Sequence, residues 1–192
     1  MKKIIGIVLF IFVSFVSFGQ KFDVFTLNDE GLCIITKTIS TNNSMEKNQM
    51  LAKSYLKTMA SSDVDIKENT GNDVVATVKF NTKVTYNPFA GNFTEWLRYD
   101  IKFSFSGSDV TYTVYDIVVS NVYTGFGATE NKATMEEKIM EYNDAKEKLK
   151  GKLSGKEKKE YKDIVEDWED SLENHEEEFT KRVTDAIAKK FK

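Results

Sequence analysis

Apolar residues recur at every second position through residues 64–123 and at every third or fourth position through residues 161–191. The first period is that of a strand, whose side chains alternate between two faces. The second is that of a helix, whose neighbours three and four apart share one side. Each segment therefore carries one apolar flank that needs a cover, and each is long enough to cover the other. The sequence predicts an α+β domain in which a long C-terminal helix lies across one face of an antiparallel sheet.

The strands can be placed by their punctuation. Phe22 to Phe25 reads as a short opening strand and Leu32 to Ile39 as a firmer one. Val64 to Glu68 is followed by a turn at Asn69-Thr70-Gly71-Asn72-Asp73. Val74, Ala76, Val78 and Phe80 then alternate with Val75, Thr77 and Lys79, with continuation towards Tyr86. Leu97, Tyr99, Ile101, Phe103 and Phe105 make the next apolar face, and Ser106-Gly107-Ser108-Asp109 closes a hairpin onto Val110, Tyr112 and Val114. Short turns between consecutive strands mean an antiparallel meander of about five strands, with one face covered and the other wet.

Two helical regions supply the cover. Ser40-Thr41-Asn42-Asn43 is a capping cluster, Asn43 with Glu46 resembles a capping box, and Met45, Leu51, Ala52, Tyr55, Leu56 and Met59 form a stripe. The closing helix, 161–191, carries Tyr161, Ile164, Val165, Trp168, Leu172, Phe179, Val183, Ile187 and Phe191 on one side. Between sheet and closing helix, residues 131–160 are lysine-rich, with a Thr134–Glu137 capping pair and a break at Ser154-Gly155. They read as an exposed, charged helical hairpin, weakly packed on the rest. Its lysines are natural partners for the nine acidic residues between Asp163 and Glu178, a run read as a solvated helix face.

The first twenty residues set the compartment. Met1-Lys2-Lys3 precedes an uncharged apolar run from Ile4 to Phe18, with small residues at Ser17 and Gly19. A basic flank, a short apolar run and a small-residue exit are the parts of a secretory signal peptide, with cleavage before Gln20. The run falls short of the ~20 residues a membrane-spanning helix needs. Residues 1–19 are read as the signal and 20–192 as one domain, exported to the periplasm or the cell exterior and not spanning a membrane. No cysteine follows the apolar run, so an N-terminal lipid anchor is not expected. Removal of two lysines moves the formal charge from −3 to −5, which argues against a nucleic-acid partner. The one cysteine, Cys33, sits among apolar neighbours and reads as a small buried hydrophobe.

The signal ending Ser-Phe-Gly-Gln, the strand Leu32–Ile39, the helix Met45–Ala60, the meander Val74–Tyr123 and the closing helix from Asp167-Trp168 to Phe191 resemble a family of exported Gram-negative bacterial proteins. That family is a domain of unknown function with a fold like the TATA-box-binding protein. The resemblance implies a curved antiparallel sheet with a helix across one face, and carries over no catalytic or ligand residues. Likeness of fold to a DNA-binding protein says nothing about DNA.

Chemistry is sparse. His175 is the single histidine, so any Ser-His-Asp or Cys-His site would have to be built on it. It stands on the apolar stripe between Leu172 and Phe179, a packing position, half-buried or solvated among glutamates. Phe179 occupies the place where a zinc-protease helix would need its second histidine, so that motif fails. No catalytic residue, cofactor site or metal site is assigned, and a hydrolase is disfavoured for want of a base and an oriented nucleophile. The most suggestive segment is Tyr86 to Trp96, with the sole proline and four aromatics. Tyr86, Phe89, Phe93 and Trp96 form a candidate binding loop, against the alternative of a wide loop whose rings cap the core. The function expected is a non-enzymatic binding module for a protein, a glycan or a small hydrophobic ligand. The alternative is a carrier enclosing a hydrophobic ligand against Phe103, Phe105, Tyr112 and Val114.

Overall fold

A computed structural model describes residues 22–192 apart from 60–62, 70–71, 88–90 and 125–128; the segment read as a signal peptide lies outside them. Six antiparallel strands form one sheet: β1 (Ile35–Ser40), β2 (Asp63–Asn69), β3 (Asp73–Asn87), β4 (Gly91–Ser106), β5 (Asp109–Thr124) and β6 (Thr129–Thr134). The order is β1-β5-β4-β3-β2, and β6 also pairs with β5. The outer edge of β5 is thus shared end to end. β1 lies against Asp109–Val114 and β6 against Val118–Tyr123.

One face of this sheet is apolar because the alternation is kept in register across strands. Val74, Val78 and Phe80 of β3, Leu97, Tyr99, Ile101 and Phe103 of β4, and Val110 and Val114 of β5 have no exposed surface. The alternation on β5 changes phase midway. Register runs Arg98 to Val118 and then Asp100 to Tyr115, so Asp116 and Ile117 together face Tyr99. This β-bulge, with Asp116 at φ 51°, lets Ile117 and Val119 continue the buried face begun by Val110, Tyr112 and Val114. Gly107 takes φ 60° at the β4–β5 turn, the positive angle a tight hairpin needs at its first central position. The other face is polar, and among the described residues no helix covers it. There Asp100 accepts from Lys67 Nζ (2.7 Å) and Thr77 Oγ1 (2.6 Å), and Thr38 pairs with Thr111 across β1 and β5.

The helices lie on the apolar face. α1 (Met45–Thr58) starts from Ser44, whose hydroxyl accepts from Lys47 N, so the cap falls one residue after the expected Asn43. α2 (Met135–Leu149) opens with the expected Thr134–Glu137 capping box. α3 (Gly155–Phe179) opens with a second box, Ser154–Glu157, and continues through a π-helical turn, Thr180–Asp185, into α4 (Ala186–Phe191). The π turn has a packing reason. Phe179, Val183, Ile187 and Phe191 are spaced by four, and in a regular α-helix each such step overshoots by about 40°, or about 120° by Phe191. The wider turn absorbs that drift, and all four side chains are buried. Phe179 meets Tyr99 and Phe25 edge-on at 5.7 and 5.3 Å, and Phe191 meets Phe103 at 6.2 Å.

Three local expectations are corrected. Residues 22–25 form no strand; Phe22 and Phe25 are instead core residues held by rings of α2 and α3, Tyr142 and Phe179. Residues 131–134 belong to strand β6 rather than to a helical hairpin, whose arms are α2 and the start of α3. The hairpin is not weakly packed either, since Met135, Ile139, Tyr142 and Ala145 are core residues. Lys146 reaches the acidic run through a relay, donating to the Tyr142 hydroxyl (3.0 Å), which donates to Glu169 (2.6 Å). Lys162 pairs along its own helix with Glu166. Among the described residues no helix is long and apolar enough to cross a membrane.

Candidate functional site

The inner face of the sheet turns polar at one end. Glu95 stands two residues before Leu97 on β4, hence on the same face, and Asn121 stands opposite it on β5, two residues after Val119. Helix α3 brings His175 over this end and α2 brings Lys138. Glu95, Lys138 and His175 are 7 %, 6 % and 0 % exposed. His175 Nδ1 lies 3.7 Å from Glu95 Oε2. The Lys138 ammonium sits 4.5 Å from the ring centroid of Trp168, a cation–π contact between α2 and α3.

Beside them opens a cleft of about 340 Å³, lined by Glu95, Asn121, Lys138, Asp167, Trp168 and Ser171, with Ile164 on its wall. Its volume falls within the ~300–1,000 Å³ typical of small-molecule sites. Burial holds the Lys138 ammonium below the ordinary lysine range, while the Glu95 and Glu141 carboxylates pull it back up. Among the described residues Lys138 makes no hydrogen bond and its ammonium meets the Trp168 ring instead, while Asn121 Oδ1, a buried atom, has no donor. A second cleft of about 400 Å³ lies beside the π turn, bordered by Phe22, Glu173, Glu176, Glu177, Lys181 and Asp185. Among the described residues no group of His, Cys, Asp and Glu side chains is arranged to hold a metal ion.

The aromatic segment is a strand hairpin and not a wide loop. Tyr86 lies in β3 opposite Asn92, Phe93 and Trp96 lie in β4, and Phe89 is outside the described residues. Phe93 and Trp96 are three apart on a strand, so they face opposite sides of the sheet. Trp96 lies on the uncovered face beneath Lys79 Nζ, 4.9 Å from its ring centroid. Phe93 is in phase with Glu95. Phe93 and Trp96 therefore do not share one surface. His175 is more deeply placed than expected, fully buried in the regular part of α3 between Leu172 and Phe179. Cys33 is buried, its thiol pushed up to about 12 by burial and by the Glu136 and Glu176 carboxylates, which leaves it protonated and structural.

The residues a carrier would use are occupied with one another. Phe103 meets Tyr55, Tyr112 and Phe191 at 6.1, 6.3 and 6.2 Å between ring centroids, and Val114 is fully buried beside them. Glu95 and Lys138 escaped the sequence reading, although each had a signal. Glu95 extends the inward phase of Leu97 and Tyr99. Lys138 interrupts the Met135, Ile139, Tyr142 stripe.

No family model matches the chain, and no curated protein matches it. Two solved structures are similar in fold. One is a TBP-like protein from Parabacteroides distasonis, 16% identical with a TM-score of 0.39, covering 59% of this chain and 72% of that one. The other is a DUF4468 family protein from Bacteroides ovatus, 15% identical with a TM-score of 0.42, covering 83% of this chain and 88% of that one. These likenesses carry over no activity and no ligand.

Proposed function

We propose that the chain is an exported, non-enzymatic binding module whose site is the cleft at the polar end of the sheet. The observation that carries this reading is Lys138. A largely buried lysine whose ammonium has no protein hydrogen-bond acceptor among the described residues, and must draw on the cleft for one, costs stability, and an apolar residue on the α2 stripe would be neutral or better. Its retention beside an open cleft is explained if a ligand supplies the missing partner. The non-enzymatic part is supported by His175, the single imidazole of the chain, whose full burial keeps it from touching a substrate. Export is supported by the basic start, the apolar run to Phe18 and the Ser17–Gly19 exit. The candidate binding residues Phe93 and Trp96 adjoin the site through Glu95, which lies between them on β4.

Native mass spectrometry of protein recovered from a Gram-negative host tests both halves. The expected result is a chain beginning at Gln20 that carries a bound small molecule, absent from the Lys138→Met variant. A chain retaining residues 1–19 contradicts export. A ligand held equally by the variant contradicts the site.

A further inference from the structure

We infer that the ligand of this cleft is a small neutral polyhydroxylated molecule, of the monosaccharide class, bridging Lys138 and Asn121. The inference rests on the cleft being the binding site. It starts from two groups at the cleft with opposite needs. Lys138 Nζ is a donor only, and Asn121 Oδ1 is an acceptor only. Among the described residues neither has a hydrogen-bond partner. A carboxylate or phosphate satisfies the lysine and leaves the amide oxygen facing another acceptor. An ammonium satisfies the amide and repels the lysine. A hydroxyl both donates and accepts, so a molecule with neighbouring hydroxyls meets both demands.

Charge selects in the same direction. Glu95 and Asp167 line the cleft together with Lys138. An anion is repelled by two carboxylates, and a cation must enter beside an ammonium. A neutral polyol meets neither penalty, and the two carboxylates accept from its hydroxyls. Trp168 and Ile164, both half-buried, form the apolar wall on which the C–H side of a pyranose ring rests. An aromatic wall with carboxylate, amide, hydroxyl and ammonium groups grouped beside it is the chemistry that holds a sugar ring in water.

Isothermal titration calorimetry on the purified protein tests the assignment. The probes are D-glucose, D-galactose, D-mannose, D-xylose and N-acetyl-D-glucosamine, with D-glucuronate, inorganic phosphate and spermidine as charged comparisons. The expected result is saturable heat from at least one neutral sugar, weakened about tenfold or more by Lys138→Met and by Asn121→Leu. Urea midpoints of both variants confirm that they remain folded. Saturation by glucuronate, phosphate or spermidine, with no neutral sugar binding, overturns the ligand class and leaves the cleft as a binding site. Silence from every probe overturns the sugar assignment. If protein from the host also carries no ligand, the binding site itself is overturned.

Discussion

The two ends of the sheet's inner face are made of opposite materials, though β3, β4 and β5 run through both. At one end Phe103, Tyr112, Tyr55 and Phe191 close ring against ring, with 0–2 % of each exposed. At the other, Glu95, Lys138 and His175 bring ionisable groups into the interior beneath α2 and α3, with the half-buried Asn121 beside them. Helix and sheet are alike in the two places; what differs is that Asn121 Oδ1 and the Lys138 ammonium have no hydrogen-bond partner among the described residues. Rings at 5–6 Å need nothing further, whereas an unpartnered ammonium and an orphaned amide oxygen do. Stability resides at the first end and unfinished hydrogen bonding at the second. That asymmetry is why the second is the place to look for a ligand.

The sharpest way to break this comparison is to shift the phase of the closing helix. Deleting Asp170, in the regular part of α3, rotates one half of the stripe by about 100° against the other. We expect the variant to lose its cooperative unfolding transition. Deleting Lys181, which is exposed in the π turn, should instead let that turn close as an α-helix with Val183 and Ile187 still facing the sheet. Circular dichroism with thermal melts separates the two. Equal damage from both deletions would show that the π turn has no phase-correcting role.

Truncation at the aromatic end comes next. Phe179→Ala removes a fully buried ring that touches Tyr99 and Phe25, and should cost about 3–5 kcal/mol in urea denaturation. A cost under about 1 kcal/mol would mean that α3 does not bury its stripe as described. Smaller still is Tyr142→Phe, which removes the hydroxyl that joins Lys146 to Glu169. Burial, together with the Glu169 carboxylate, holds that hydroxyl above the ordinary tyrosine range, so it donates throughout the neutral range. The expected loss is about 1–2 kcal/mol, and Glu169→Gln should add little to it in a double-mutant cycle.

The architecture was legible wherever it is written in apolar periodicity. The alternation of Val74 to Phe80 and Leu97 to Phe105 marked the central strands, and the Tyr161 to Phe191 stripe marked the helix that covers them. Features without an apolar signature were not legible. Thr129–Thr134 contains no large hydrophobe, because an edge strand joins through backbone hydrogen bonds that any residue can make. The phase change at Asp116 looks, in sequence, like an imperfect alternation of Val114 and Ile117. The π turn was visible in outline as a run of four-residue steps, which a regular helix cannot keep on one side.

The site was half legible. Glu95 and Lys138 each break an apolar pattern, and such a break is a signal worth reading. Their meeting was not, because it depends on α2 folding back over the far ends of β4 and β5. For the candidate aromatics, strand geometry sends Phe93 and Trp96 to opposite faces, which closeness in sequence does not reveal.

The most direct test of the comparison is the unfolding free energy of Lys138→Met in the ligand-free protein. Because burial lowers the folded-state proton affinity of Lys138 below the ordinary value of 10.5, the ammonium opposes folding at neutral pH, and stability should rise as pH climbs through the lowered value towards 10.5. The account predicts that Lys138→Met is as stable as the parent chain or up to about 1–2 kcal/mol more stable, and lacks that alkaline rise. A loss of about 3 kcal/mol or more, the scale set by Phe179→Ala, would show that the polar end holds the fold together as the aromatic end does, and would contradict the account.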